Sequence, residues 1–184
     1  NPALFHAMDH LGMAQYLTRV GLVLGEEAAL DAGKQAWLEQ GEWQPLRKFV
    51  EDSFVLDDWF ELFVAHCVVL DGLLYPLFYG ECDTRLAGMG GGAVLSMLTR
   101  FQAEWFVETS KWTNAVVKVA AAESEGNKAL IEGWIARYLP LAQDALTPLA
   151  AKLFGAEAGD VMEGLAGQFS ARLAKLGVTI GKEG

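Results

Sequence analysis

Seven side chains in this sequence combine a metal-binding type with a position on helices that could pack together: His6, Asp9 and His10 near the start, Glu61 and His66 in the middle, and Glu104 and Glu108 further on. Di-iron centres in helical bundles are built from such groups. They take four carboxylates and two histidines, with a Glu from each of two helices and Glu-x-x-His from each of two more. The spacing matters because residues three apart share a helix face and can grip one iron together. Here the residues three before His6, His10 and His66 are Ala3, Ala7 and Phe63, so Glu-x-x-His is absent. His6 and His10 stand one turn apart with Asp9 on the same face, a spacing that can chelate a metal. Glu61 and His66, five apart, diverge by about 140° around an α-helix. Arg100 with Glu104, and Glu108 with Lys111, have ordinary surface ion-pair spacings. The expectation is a chain with no metal, catalytic or cofactor-binding residue.

Other candidates reduce to structure in the same way. Asp71 lies in an apolar run, where a carboxylate is usually held by a backbone, Tyr or Arg partner. Gly88 and Gly90 to Gly92 lack the Gly-Lys-Ser/Thr of a phosphate cradle and read as a joint. Cys67 follows His66 directly, but adjacent helix residues point about 100° apart, which serves a Cys-His pair poorly. Ser96, Ser110 and Ser124 show no G-x-S-x-G elbow. The six tryptophans, Trp37, Trp43, Trp59, Trp105, Trp112 and Trp134, are core and interface material, two or three of them suited to anchoring a partner.

The elements that must position these groups are helices, since apolar residues recur at helical spacing and no stretch alternates convincingly. The first is expected from Ala3 to Leu24, with Leu4, Met8, Leu11 and Gln15 on one face and Gly25 ending it. A second covers Ala28 to Glu39, and a third starts near Pro45 and turns Leu46, Phe49 and Val50 inward. Asp57 to Tyr79 opens on acidic residues and is then apolar all round, as in a central helix. Gly80 to Gly92 reads as a connection. Ala93 to Ala122 forms a long helix of about 45 Å. Ser124 caps another that runs to Phe154, with kinks expected at Pro140 and Pro148 and a stop at Gly155. The last spans Asp160 to Leu176, followed by Gly177. One domain, residues 1–184, is expected.

Hydrophobic residues make up 52% of the 184, more than a single chain of this size buries easily. A membrane is a poor outlet, because Asp71 and Pro76 interrupt the apolar run from Leu62 to Gly80 where about 20 clean residues are needed. A protein partner is the better one. A net charge of −10 repels nucleic acid and anionic lipid alike. Two cysteines and the lack of a signal peptide suit a cytoplasmic protein. The first residues already read as helix interior and no Met precedes Asn1, so upstream sequence is expected to be missing.

Five stretches carry a more specific likeness: 5–12 (FHAMDHLG), 43–48 (WQPLRK), 58–65 (DWFELFVA), 70–77 (LDGLLYPL) and 120–124 (AAAES). Together they resemble the β subunit of the oxygenase component of bacterial multicomponent phenol hydroxylases, as its larger C-terminal part. The resemblance implies an all-α, ferritin-like and ribonucleotide-reductase-like bundle without the di-iron ligands. It implies a hetero-oligomer with a large subunit that holds the di-iron centre, a small third subunit, a regulatory protein, and a reductase carrying flavin and iron–sulfur groups. The reaction it implies is hydroxylation of phenol to catechol with dioxygen and electrons from NADH. The alternatives are a β subunit of a related toluene or alkene monooxygenase, or a stand-alone ferritin-like protein that binds a metal or an apolar ligand.

Overall fold

The computed structural model describes residues 2–179, and among them helices and short connections account for the whole fold. The chain packs as two units, residues 1–44 and 45–184. The first unit is dominated by α1, Pro2–Glu39, whose backbone leaves helical geometry at Gly25 and Glu26. This is the break expected between the first two helices. The positive φ there belongs to Glu26, at 55°, while a Cβ on Gly25 would stand 2.8 Å from that of Ala29. A 3-10 turn, Gly41–Trp43, follows, and Trp43 meets Trp37 edge-on at 6.4 Å.

The second unit begins with α2, Gln44–Ser53, which buries Leu46 and Phe49 and leaves Val50 only half-buried. α3, Trp59–Phe63, starts at Asp58, whose carboxylate accepts the Phe60 and Glu61 amides and so caps the helix. The chain then stays helical to residue 87 with two changes of pitch. A π-helix, Val64–Leu70, leads into α4, Asp71–Pro76; a second, Leu77–Glu81, leads into α5, Cys82–Ala87. The expected central helix is therefore present but starts two residues later, is not uniform, and runs on through most of the expected Gly80–Gly92 connection. Pro76 has no amide hydrogen, and the second π turn follows it directly, where the i→i+4 ladder is already broken. Only residues 88–91 connect α5 to the next helix. Gly91 takes φ +80°, and a Cβ on Gly92 would overlap the Leu86 carbonyl, so this turn requires glycine.

The long helices are α6, Gly92–Glu123, and α7, Glu125–Phe154, separated by Ser124, whose hydroxyl accepts the Asn127 amide. α7 buries Ile131, Ile135, Tyr138, Ala142, Ala145 and Leu149, a stripe at alternating steps of three and four. It passes through Pro140 and Pro148 without interruption. Gly155 ends it, and α8, Ala158–Lys175, closes the unit before Gly177. The core is the apolar segment from Phe63 to Leu77 enclosed by α6, α7 and α8, with Val64, Ala65, Val68, Val69, Leu73 and Leu77 fully buried. The helical segment from Trp59 to Ala87 is long and apolar enough to cross a membrane by length and composition, but most of its apolar stretch is buried inside the fold, as in the core helix of a soluble protein.

Candidate functional site

The candidate ligands of the second unit are held apart. Glu61 on α3 accepts the Tyr138 hydroxyl at 2.7 Å and Arg137 Nη1 at 3.0 Å, both from α7. His66 on the π segment sits 2.6 Å from Ser53 Oγ. Ser53 already donates to the Val50 carbonyl, so His66 Nε2 is the donor in that pair and Ser53 is not activated as a nucleophile. Glu104 pairs with Arg100 at 3.2 Å and Glu108 with Lys111 at 2.6 Å, all four exposed, as their spacing predicts. Four oxygen or nitrogen ligands in four separate settings do not fit a di-iron centre.

In the first unit, His10 Nδ1 lies 2.9 Å from the His6 carbonyl, so Nδ1 carries a proton and donates to it. The two imidazole rings are 4.6 Å apart. One helix turn thus brings both histidines together as the sequence suggested.

Asp71 is buried on α4. Its charge acts on Arg172, which reaches in from α8 and donates to Asn114 Oδ1 at 2.8 Å and Thr113 Oγ1 at 3.0 Å on α6. Burial lowers the Arg172 pKa, and Asp71 opposes that shift. The guanidinium also lies 5.8 Å over the Phe106 ring. The Arg172 bonds tie α6 to α8 in the core. Burial, then the Asp71 charge, push the neighbouring Cys67 thiol up to about 12 and make it a poor nucleophile.

On the outside, Trp59, Phe60, Val116, Val119, Leu130 and Trp134 line an open apolar groove of about 710 Å³ between the α3 start, α6 and α7. The sequence marked two or three of the six tryptophans as anchors without saying which, and it did not show the groove, because its walls come from three segments far apart along the chain. Phe60 organises its base, meeting Trp59, Phe63 and Trp134 at 5.2, 5.5 and 6.1 Å.

These features define a helical protein of ferritin-like fold whose second unit carries a buried polar cluster around Arg172. The chain belongs to the methane/phenol/alkene hydroxylase family, whose model it matches over residues 1–124. It is 44% identical to the phenol 2-monooxygenase oxygenase component DmpL of Pseudomonas sp. strain CF600 over 95% of its own length and 52% of that protein's. It is 30% identical to the hydroxylase β subunit of the toluene-4-monooxygenase system of Ectopseudomonas mendocina, over 61% of this chain and 34% of the relative. The solved structure of xenon-pressurised phenol hydroxylase from Pseudomonas sp. OX1 superimposes with a TM-score of 0.87 at 42% identity, covering 94% of this chain and 52% of that one. The chain therefore spans about half the length of the relatives it matches.

Proposed function

We propose that this chain is a non-catalytic, structural subunit of a cytoplasmic multicomponent monooxygenase that hydroxylates phenol or a related aromatic to a catechol. The observation that carries the reading is 44% identity, over nearly the whole chain, to an oxygenase component of phenol 2-monooxygenase. Residues 1–184 form one ferritin-like domain in this reading, with no catalytic, cofactor-binding or metal-binding residue. The di-iron centre, which supplies the dioxygen chemistry, belongs to a large partner subunit. A small third subunit and a regulatory protein complete the assembly, and a reductase with flavin and iron–sulfur groups delivers electrons from NADH. The separate engagements of Glu61, His66, Glu104 and Glu108 support this division of labour. The acidic charge argues against nucleic acid as a partner.

What this chain contributes is a rigid helical face. The Asp71–Arg172 cluster and the aromatic base around Phe60 fix the helices, and those helices hold the partner's iron-bearing ones in place. A toluene or alkene substrate is the second reading, supported by the toluene-4-monooxygenase relative. Elemental analysis of the purified chain after anaerobic iron loading tests the assignment. Substoichiometric iron is expected, and about two irons per chain, the content of a di-iron site, would contradict it.

A further inference from the structure

The groove between α6 and α7 has a shape and a charge that select its occupant. Its walls run from Ala115 to Glu123 on α6 and from Asn127 to Trp134 on α7, each about 10–12 Å, or two turns of helix. Trp59, Val119 and Leu130 are 73%, 71% and 56% exposed there, a density of apolar surface that water does not favour. The charged residues among its lining are Asp58 and Glu123. The acids Glu51, Asp52, Glu104, Glu108 and Glu157 each have a Lys or Arg within 4 Å, whereas Asp58 and Glu123 have no such cation among the described residues. Asp58 accepts backbone amides and Glu123 the Asn127 side chain, so both stand at the rim beside neutral donors only.

We propose that this groove seats an amphipathic helix of a partner subunit, with apolar side chains at i, i+4 and i+7 over Trp59, Val119 and Leu130 and a Lys or Arg meeting Asp58 and Glu123. Helix-in-groove docking uses this spacing and depth. A small apolar ligand would stay largely exposed in a trough open along one side. An anionic lipid surface, or a second copy of the same rim, would bring like charges together. The inference rests on the subunit reading above and specifies the surface that makes the contact.

The test uses the assembled complex, co-expressed with its partner subunits, with a benzophenone side chain placed at Val119 and, as a control outside the groove, at Val107. Irradiation at Val119 is expected to give adducts with one partner peptide of helical apolar spacing that carries a Lys or Arg, and Val107 to give none with that peptide. Glu123→Lys should weaken assembly by roughly tenfold at low salt and less at high salt, as loss of a rim charge contact predicts. Glu123→Gln, which keeps the hydrogen bond to Asn127, should fall between it and wild type. Unchanged assembly in both Glu123 variants, adducts within a second copy of this chain, or an acidic adduct peptide would overturn the groove assignment while leaving the subunit reading intact. A wild-type chain that joins no partner at all would overturn both.

Discussion

Phe169 of α8 lies over Gly72 of α4 so closely that a Cβ on residue 72 would stand 2.8 Å from Phe169 Cε2. Arg172 Nη1 would be 3.2 Å away on the same side. The two helices touch here because residue 72 has no side chain, and the approach brings Arg172 alongside Gly72. Gly72→Ala should therefore lower stability by about 1–3 kcal/mol, the range for overpacking a filled core. Gly164→Ala on α8, where nothing lies within 4 Å, should be neutral or stabilising by up to about 1 kcal/mol. Chemical denaturation of the two variants decides it, and equal midpoints would mean that α4 and α8 do not meet in this way.

The core segment makes a graded prediction. Leu70 and Leu73 are buried, Leu73 completely, while Leu74 is only half-buried. An Asp at Leu70 or Leu73 buries a charge with no designed partner and should cost several kcal/mol, enough to unfold a marginal domain. The same change at Leu74 should cost less. A melting series in which Leu74→Asp is the most damaging would show that the π turn places these residues differently.

The Tyr138–Glu61 contact can be read by titration. Burial first, then the hydrogen bond to Glu61 and its charge, push the Tyr138 hydroxyl up to about 12. Glu61→Gln removes the charge but keeps an acceptor, so the Tyr138 ionisation should move down toward 10, its ordinary value. An ultraviolet pH titration of the two proteins reports it directly, and identical tyrosine titration curves would rule the pairing out.

Cys67 gives a second pH-dependent outcome. Its folded-state pKa lies near 12 and its unfolded value is near 9.0. The folded form therefore holds the proton more tightly, and the stability this contributes is complete below pH 9 and is lost as pH rises toward 12. At pH 8.5 Cys67 should react with iodoacetamide far more slowly than a cysteine in an unfolded peptide, because little thiolate forms. Labelling at the peptide rate would place Cys67 outside the core.

Much of this was legible in the sequence because it depends on local rules. The α1 break at Gly25, the Ser124 cap and the Gly155 and Gly177 stops follow from chain conformation alone. The surface roles of Glu104 and Glu108 follow from i,i+4 and i,i+3 spacing. The π segments did not show, since Val64 to Leu70 contains no breaker and its wider pitch comes from tertiary packing. Nor did the buried face of α6, which carries Thr99, Gln102 and Thr113 where a period-based reading looks for leucines. Asp71 is expected to have a partner, but Arg172, on which its charge acts, is about a hundred residues away along the chain.

If this chain supports an oxygenase without carrying its chemistry, activity depends on a partner, and the decisive experiment is catechol formation by this chain expressed alone and with an iron-carrying large subunit. Both preparations receive phenol, NADH and the reductase, and iron content and oligomeric mass are measured in parallel. The chain alone should make no catechol and should self-associate through its exposed apolar surface. The co-expressed complex should be active, and should remain so when His6, His10 and His66 are each replaced by a residue of similar size. A soluble, monomeric chain that makes catechol unaided, or a complex that loses its iron with those histidines, would contradict it.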